Sequence, residues 1–293
     1  MMMDSYVIKN DLCSAEISSF GAELRSLKSG GREYLWQGDP TVWEQRSPLL
    51  FPFVGRLTDG KYRIRSREYP LTIHGFASNS QFIAERHAEN ELTLTLCDSK
   101  ETRKIYPFRF ALRVHYVFKE QTLCVDYEVE NRSGETMFFG IGGHPGFRVP
   151  LEDGLSFEDY MLDFDPAHLP VRVGHTEACF LNGQDKAFPL VQGHILPLAH
   201  DLFEQDAIVL KDVARKVTLR SDRSPYSVTM SYPDMPYLGI WHRPHTEAPY
   251  VCIEPWTSLP SRQDVIEDFS VKSDLLHLAP GGVCRRGWTV TLQ

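Results

Sequence analysis

Long hydrophobic runs are missing from this sequence of 293 residues. The longest apolar stretches, such as residues 48–54, fall far short of the roughly 18 residues that a membrane-spanning helix needs. Residues 1–5 also lack the basic and apolar segments of a secretory signal peptide. We therefore expect a cytoplasmic protein with no membrane partner.

An excess of positive charge is also missing. Lysine and arginine together number 31 and aspartate and glutamate 39, which gives a net charge of −8. This charge opposes the non-specific binding of nucleic acid or anionic membranes that a basic surface promotes. The composition, 42% hydrophobic and 24% charged, is typical of a globular chain and excludes a disordered or fibrous one. We expect no nucleic-acid partner.

The six cysteines show no metal-binding or redox spacing. They stand at positions 13, 97, 124, 179, 252 and 284, and none forms a CxxC pair. A chain of this length can bury a full core without disulfides, and free cysteine is among the residue types that are most often buried. Cys13 also falls on the same alternate positions as the apolar Ala15 and Ile17, which would share one face of a strand. We interpret the cysteines as small core residues.

An alternation with a period of two dominates the chain. Apolar residues occupy every second position over residues 108–118, and the pattern resumes over residues 123–129 after a short polar break. Such a pair predicts an antiparallel hairpin with one buried and one polar face. Similar alternation occurs over residues 13–17, 61–65 and 92–96.

Helical periodicity is scarce, and only residues 198–203 and 259–269 favour a helical turn or two. At about 150 residues per domain the length would suit two domains, but one large all-β domain is equally ordinary. No repeat, low-complexity tract or long linker divides the chain. The sequence predicts an all-β fold, a large β-sandwich formed by residues 1–293 as a single domain, with a few short helical turns.

Four segments break the strand pattern, and functional sites are expected where local rules are broken. The first, residues 46–56, contains two prolines and ends in Gly55-Arg56. Glycine lets the backbone turn, and a guanidinium is a rigid fork of donors that suits oxygen-rich ligands, although a solvated surface arginine is the plainer interpretation. The second, residues 73–77, carries His74, and a histidine in such a place is more often a hydrogen-bonded core residue than a catalytic one.

The third segment, residues 140–147, holds four glycines and one proline in eight residues and is a poor strand. Glycines cost conformational entropy on folding, a cost that is understandable where the backbone must approach a ligand closely. His144 stands before the proline in this loop, and a histidine held in this way is a candidate general acid or base.

The fourth segment is residues 250–256. In a strand, Tyr250, Cys252 and Glu254 share one face, and we expect Glu254 to end that strand because Pro255 follows it. A carboxylate beside apolar and aromatic groups can have a raised pKa and act as a base near neutral pH, and Trp256 suits the apolar face of a sugar ring. A rim glutamate on an ordinary strand is the alternative. Jointly, the four segments indicate a general acid/base site for a polar ligand.

At these residues the sequence resembles the aldose 1-epimerase (galactose mutarotase) superfamily, and more closely its LacX-like branch. The matching segments are PLLFPFVGRLTDGK at residues 48–61, HGFA at 74–77, GGHPGF at 142–147 and CIEPW at 252–256. Their order and approximate spacing also match, over essentially the whole chain. The resemblance implies a galactose mutarotase-like β-sandwich that interconverts the α and β anomers of an aldose without metal or organic cofactor.

The resemblance also implies a role for each residue. Glu254 would remove the proton of the C1 hydroxyl, and His144 would protonate the ring oxygen. His74 and Arg56 would orient the sugar and steady charge near that oxygen. The family further has an aspartate that holds a sugar hydroxyl, for which Asp206 is the better match and Asp201 the competing choice.

Two tryptophans, Trp241 and Trp256, complete the predicted sugar contacts. The chain departs from galactose mutarotases proper, because His144 lies in a Gly-Gly-His-Pro-Gly-Phe context rather than a Thr-His-Pro one. This departure leaves the preferred sugar open, though not the reaction type. We expect a small-molecule sugar as the partner and a monomer or homodimer as the assembly.

Three rival functions are kept. A hexose-6-phosphate epimerase shares the chemistry but needs a cationic phosphate pocket, for which Arg46, Arg243 and Arg262 are available. The net charge of −8 opposes it only weakly. A non-catalytic sugar-binding or sensor protein would keep the aromatic and arginine contacts but would not need an acid/base pair.

The third rival is a mononuclear metal oxygenase, in which His74, His144 and Glu254 form a two-histidine, one-carboxylate triad. The H-x-H or H-x-D spacing that is common in such β-barrels is absent around both histidines. His242 and His245 form an H-x-x-H, which we interpret as a polar loop.

Overall fold

The computed structural model describes residues 4–293, so the first three residues, which bear on the signal-peptide expectation, lie outside the described chain. Strands dominate this part of the chain, with one short α-helix, α1 (Thr102–Ile105), and four 3₁₀ turns at Thr58–Gly60, Ala77–Asn79, Phe157–Asp159 and His200–Phe203. None of these described helices is long and apolar enough to cross a membrane.

The strands in chain order are β1 (Ser5–Lys9), β2 (Cys13–Ser18), β3 (Leu24–Ser29), β4 (Arg32–Glu33), β5 (Leu49–Leu50), β6 (Lys61–Ile64), β7 (Arg67–Pro70), β8 (Ile83–His87), β9 (Glu91–Cys97), β10 (Phe110–Lys119), β11 (Thr122–Asn131), β12 (Met137–Phe139), β13 (Gly142–Gly143), β14 (Gly146–Arg148), β15 (Met161–Phe164), β16 (Val171–Arg172), β17 (Lys186–Ala187), β18 (Ile195–Pro197), β19 (Ile208–Lys211), β20 (Lys216–Arg220), β21 (Val228–Ser231), β22 (Tyr237–Trp241), β23 (Tyr250–Trp256), β24 (Leu276–Leu278) and β25 (Val283–Leu292).

Two large antiparallel sheets carry most of these strands. The nine-stranded sheet has the order β18-β15-β20-β21-β25-β11-β10-β9-β8. The eight-stranded sheet has the order β17-β16-β19-β22-β23-β13-β5, and β14 pairs with β23 beside that path. A smaller sheet contains β1 to β4, and two further pairs join β6 to β7 and β12 to β24.

The predicted hairpin is confirmed as β10 and β11. Val114 lies opposite Tyr127 in an unbroken antiparallel register, and Glu120 adopts a left-handed φ of 53° in the connecting turn. The alternate residues of β10, such as Leu112 and Val114, are fully buried, whereas Arg113 between them is only half-buried. The alternation in the sequence therefore decides which face of this sheet meets the core.

The core lies between the two large sheets. Leu112 and Val125 of the nine-stranded sheet belong to the same buried cluster as Ile240 and Ile253 of the eight-stranded sheet. Each such side chain contributes roughly 1.5–3 kcal/mol by leaving water. The predicted all-β sandwich is confirmed.

One of the two predicted helical segments is wrong. Residues 198–203 contain the 3₁₀ turn His200–Phe203, but residues 259–269 contain no helix. In that loop the Glu267 carboxylate accepts bonds from the Arg262 backbone N–H at 3.0 Å and from its guanidinium at 3.0 and 2.9 Å. Asp264 takes a left-handed φ of 59°. Side-chain bonds to the backbone therefore replace the helical ladder.

The prediction that the strand of residues 250–256 ends at Glu254, before Pro255, is also wrong. Strand β23 runs through Pro255 to Trp256. On one side of β23, strand β14 pairs with it only as far as Cys252, and strand β13 pairs with it only at Trp256. These two partners therefore leave a gap opposite Glu254 and Pro255. A proline is tolerated in a strand where its missing N–H leaves no ladder bond unmade. The same gap shapes the site described below.

The cysteines fit the core interpretation in part. All six are free and lie in the described chain, and Cys13, Cys124 and Cys252 are buried. Cys179 and Cys284 are half-buried, and Cys97 is exposed. For Cys97 the interpretation is wrong, because this residue is the last of β9 and its Sγ lies 3.6 Å from the Arg132 guanidinium at the surface.

Candidate active site

A cavity of about 350 Å³ opens at the gap in the eight-stranded sheet. Its wall contains all seven residues that the sequence predicts for the site, namely Arg56, His74, His144, Asp206, Trp241, Glu254 and Trp256. Segments that are separated by up to 200 positions in the chain thus meet around one space of the size of a small molecule.

The glycine-rich loop brings its histidine to the gap. Gly142 pairs with Trp256 across β13 and β23, and a Cβ on Gly143 would lie 2.7 Å from the Trp288 indole nitrogen. Only glycine permits this close approach of the loop to the core behind it. His144 follows directly and is held over the unpaired stretch of β23.

His144 and Glu254 face each other across the gap. The distance from His144 Nε2 to Glu254 Oε2 is 3.2 Å, and the two residues are only 8% and 1% exposed. The contact lacks hydrogen-bond geometry, so Glu254 Oε2 has no hydrogen-bond partner among the described residues. A buried carboxylate without such a partner is costly, which is consistent with an atom kept available for a ligand.

Burial changes the acid strength of both groups. It raises the pKa of Glu254 well above the usual range, and the nearby Asp206 carboxylate raises it further. It lowers the pKa of the His144 imidazole well below the usual range, and a protonated His74 would lower it further. Both shifts disfavour the charged forms. Because the two groups lie in contact, they titrate as a coupled pair.

His74 is held in one tautomer by the backbone. The Gly55 N–H donates to His74 Nδ1 at 3.1 Å, so the neutral ring carries its proton on Nε2. Burial, assisted by the Arg56 guanidinium, lowers the pKa of His74 to about 4. The neighbouring residue has to be glycine, because a Cβ on Gly75 would lie 2.2 Å from the Phe51 carbonyl oxygen. His74 is thus a neutral hydrogen-bond donor on the cavity wall, with its ring 5.7 Å from that of His144.

Arg56 and Asp206 occupy the outer part of the cavity. Arg56 is exposed, so its surface position is confirmed even though it also borders the cavity. Asp206 has a left-handed φ of 68° and accepts the Ala207 N–H at 2.8 Å. Asp201 lies exposed in the 3₁₀ turn His200–Phe203 and is not part of the wall. Of the two competing aspartates, Asp206 is the one that a ligand in the cavity can reach.

Aromatic rings cover the acid/base pair. Trp241 lies 5.5 Å from the His144 ring, and Trp43, which the sequence motifs miss, lies 5.1 Å from the same ring and 5.4 Å from Trp241. Trp256 packs with a separate apolar cluster around Val209. The cavity therefore offers flat apolar surface beside its polar groups.

A second missed residue is His175 in the segment that closes one side of the cavity. Its Nδ1 lies 3.0 Å from the Thr176 carbonyl oxygen, and its Nε2 lies 2.8 Å from that of Ala207. These contacts tie the segment to the residue that follows Asp206. His175 interrupts no strand pattern in the sequence, so no local signal singles it out.

The H-x-x-H motif lies away from this cavity. His242 is fully buried, and its Nε2 lies 3.0 Å from Nδ1 of His200. Its ring lies 4.2 Å from that of Phe203. The polar-loop interpretation is therefore wrong for His242, which apolar packing encloses, and correct for the exposed His245.

Comparison with known proteins identifies the family of this chain. A family model described as Aldose 1-epimerase matches residues 4–267. The protein "LacX, plasmid" of Lactococcus lactis subsp. lactis is 31% identical over 297 residues, which cover 97% of this chain and 98% of LacX.

Two solved structures are similar over their whole length. A galactose mutarotase related enzyme from Lactobacillus acidophilus is 38% identical with a TM-score of 0.94, over 99% of this chain and 97% of that one. A galactose mutarotase-like protein from Lactobacillus casei is 34% identical with a TM-score of 0.94, over 99% and 100%. The chain therefore belongs to the aldose 1-epimerase family, isomerases that act on carbohydrates.

Proposed function

We propose that this protein is an aldose 1-epimerase, a mutarotase that interconverts the α and β anomers of a hexose. The observation that carries the proposal is the 3.2 Å approach of His144 Nε2 to Glu254 Oε2 at the buried end of the cavity. Anomer exchange needs an acid and a base at two oxygens that share one carbon, so the two groups must lie close together.

In the proposed reaction, the Glu254 carboxylate removes the proton of the C1 hydroxyl while the His144 imidazolium protonates the ring oxygen. The bond between C1 and the ring oxygen breaks and leaves an open-chain aldehyde. After rotation about the C1–C2 bond, the hydroxyl attacks C1 again and returns its proton to His144, and Glu254 protonates the carbonyl oxygen. The pair carries one proton throughout, and ring opening produces the neutral form of both groups that burial favours.

The remaining groups position the sugar. The Nε2–H of His74 and the Arg56 guanidinium are proposed to donate to the ring oxygen and its neighbours, and Asp206 to accept from a sugar hydroxyl. Trp241 and Trp256 supply apolar surface for the ring. Since these residues come from both halves of the chain, we also propose that the whole chain acts as one domain.

The charges around the cavity favour a neutral sugar over its 6-phosphate. Among the described residues of the wall, Arg56 is the one lysine or arginine. Arg262 is engaged by Glu267, the Arg243 guanidinium donates to the Val42 carbonyl at 2.8 Å, and Arg46 does not border the cavity. A phosphate that enters this cavity would lose water without a set of cationic partners.

The test is saturation-transfer NMR on α-glucose, α-galactose and their 6-phosphates. We expect exchange between the anomers of a neutral hexose above the buffer rate, and a kcat/KM at least about tenfold lower for the 6-phosphate, because a charged group that loses one ionic hydrogen bond costs 1.5–3 kcal/mol. Equal or faster turnover of the phosphate would favour the 6-phosphate epimerase. Sugar binding without any acceleration would favour the sensor.

The pH dependence of kcat/KM should show a broad plateau around neutrality. On the acid side it should fall where the pair takes up a second proton, which the His144 shift places below the usual pKa of 6.5. On the alkaline side it should fall where the pair loses its single proton, which the Glu254 shift places well above the usual pKa of 4.5. We expect both limbs in a series over about pH 4–10 that is corrected for buffer catalysis.

The variant Glu254→Gln identifies the alkaline limb. Glutamine cannot hold the shared proton, so in this variant His144 alone carries it. Because burial lowers the pKa of His144, the alkaline limb of the residual activity should move to lower pH. An unchanged alkaline limb in the variant would show that another group is responsible for it.

A further inference from the structure

A sulfur atom lies beside the acid/base pair. His144, Cys252 and Glu254 each place one ligand atom so that all three lie within 4.8 Å of one another, and all three residues are buried. Cys252 and Glu254 share one face of β23. The Cys252 Sγ lies close to Gly146, where a Cβ would be 3.4 Å from the sulfur. The catalytic pair proposed above does not use this thiol.

The spacing of these atoms suits a tetrahedral metal ion. Zinc binds sulfur at about 2.3 Å and nitrogen or oxygen at about 2.0–2.2 Å, so its ligand atoms are roughly 3.3–3.7 Å apart. The distance between His144 Nε2 and Glu254 Oε2 is 3.2 Å, and the sulfur needs to move by at most about an ångström to complete the set. Thiolate with imidazole selects zinc over magnesium or calcium, which take oxygen ligands.

Two further observations indicate a ligand at this place. The Glu254 Oε2 atom has no hydrogen-bond partner within the described chain, although its residue is only 1% exposed. Glu254 and His144 also line the cavity. An ion can therefore enter by the route of the sugar.

We propose that Zn²⁺ binds His144, Cys252 and Glu254 at the floor of the cavity and inhibits the enzyme. The metal takes the lone pair of an imidazole nitrogen, the thiolate and a carboxylate oxygen, and any thiol or carboxyl proton leaves to solvent. His144 bound to the metal cannot protonate the ring oxygen, and Glu254 cannot accept a proton. Binding of the ion is independent of the proposed function, whereas inhibition rests on it.

This set differs from the facial triad of the rival metal enzyme. His74 is not a member of the cluster, and its Nδ1 accepts the Gly55 N–H. Cys252 takes the place that His74 holds in that hypothesis. The ion proposed here therefore competes with the sugar and does not serve the reaction.

The binding test uses Cd²⁺ as a spectroscopic probe for Zn²⁺ on the purified full chain. Cd²⁺ bound to a thiolate gives an ultraviolet charge-transfer band, which we expect at one ion per chain. The band should be lost in Cys252→Ser, which keeps the size of the side chain, and in Cys252→Ala, which serves if the serine variant unfolds. It should persist in the controls Cys124→Ser, a buried thiol elsewhere, and Cys179→Ser, a thiol of the cavity wall.

The inhibition test compares activity with and without Zn²⁺ for each protein, so changes in basal activity cancel. We expect the Zn²⁺ concentration for half-inhibition to rise at least tenfold in Cys252→Ala, because even the loss of an outer-shell partner costs 10–100-fold in metal affinity. Added hexose should weaken Cd²⁺ binding.

A Cd²⁺ band that is as strong in Cys252→Ser and Cys252→Ala as in the unchanged protein would overturn the site. Full activity at Zn²⁺ concentrations that displace Cd²⁺ would overturn inhibition. If the protein turns over no sugar at all, the proposed function fails, and the Cd²⁺ band still decides whether the site exists.

Discussion

Replacement of Glu254 by glutamine should lower kcat by about 10²–10⁴, the usual contribution of a positioned general base. Glutamine keeps the size of the side chain and its hydrogen-bonding capacity but cannot take up the C1 hydroxyl proton. Glutamine can still form a hydrogen bond with the C1 hydroxyl of the bound sugar. The substitution therefore weakens the binding of the sugar little, and KM should change little. Anomer exchange measured by polarimetry or NMR at several sugar concentrations separates the two constants.

The matched control is Glu247→Gln, on an exposed residue three positions before the same strand. It makes the same chemical change and should leave kcat and KM unaltered. Calorimetry of sugar binding to the Glu254→Gln protein checks that the cavity is intact. If this variant binds sugar normally and still exchanges anomers at the unmodified rate, Glu254 is not the base.

The fold was predictable where the chain follows one local rule over many residues. In β10 and β11, alternation alone identifies the buried face, since a slip by one residue would expose every apolar side chain. The loop at 259–269 follows no such rule. Its conformation depends on Glu267 and Arg262, whose bonds to each other and to the backbone leave no periodic pattern in the sequence.

The location of the site was predictable to the same extent. His74 and His144 stand in sequences that break the strand pattern, and the structure places both on one cavity. Trp43 and His175 border the same cavity, but each lies in a stretch that is unremarkable in sequence. They reach the site through tertiary contacts, which periodicity does not report. The role of each residue remains a prediction.

The strand through Pro255 shows how sequence and site are connected. Proline was expected to end the strand. Instead, Pro255 lies within β23, opposite the gap that β13 and β14 leave. The gap needs glycines at Gly142 and Gly143, because side chains there would meet β23 and the Trp288 ring. The residues that look like breaks in a strand are therefore those that open the sheet next to Glu254.

Replacement of His144 by asparagine should lower kcat by about 10²–10⁴ as well, because the ring oxygen then leaves without a proton donor. The control is His245→Asn, on an exposed histidine with a φ of 56°, a conformation that asparagine tolerates well. This control should keep full activity and the same melting temperature.

The double variant Glu254→Gln/His144→Asn tests whether the two residues act together. The proposed cycle keeps one proton on the pair and passes it between partners that lie 3.2 Å apart, so the loss of either partner stops the same transfer. The kcat of the double variant should therefore be barely lower than that of the worse single variant, since residues that act as a unit are strongly non-additive. Independent roles would instead multiply the two losses, to about 10⁴–10⁸ in total. Rates measured on all four proteins under one condition distinguish these outcomes, and a multiplicative loss would contradict the shared proton.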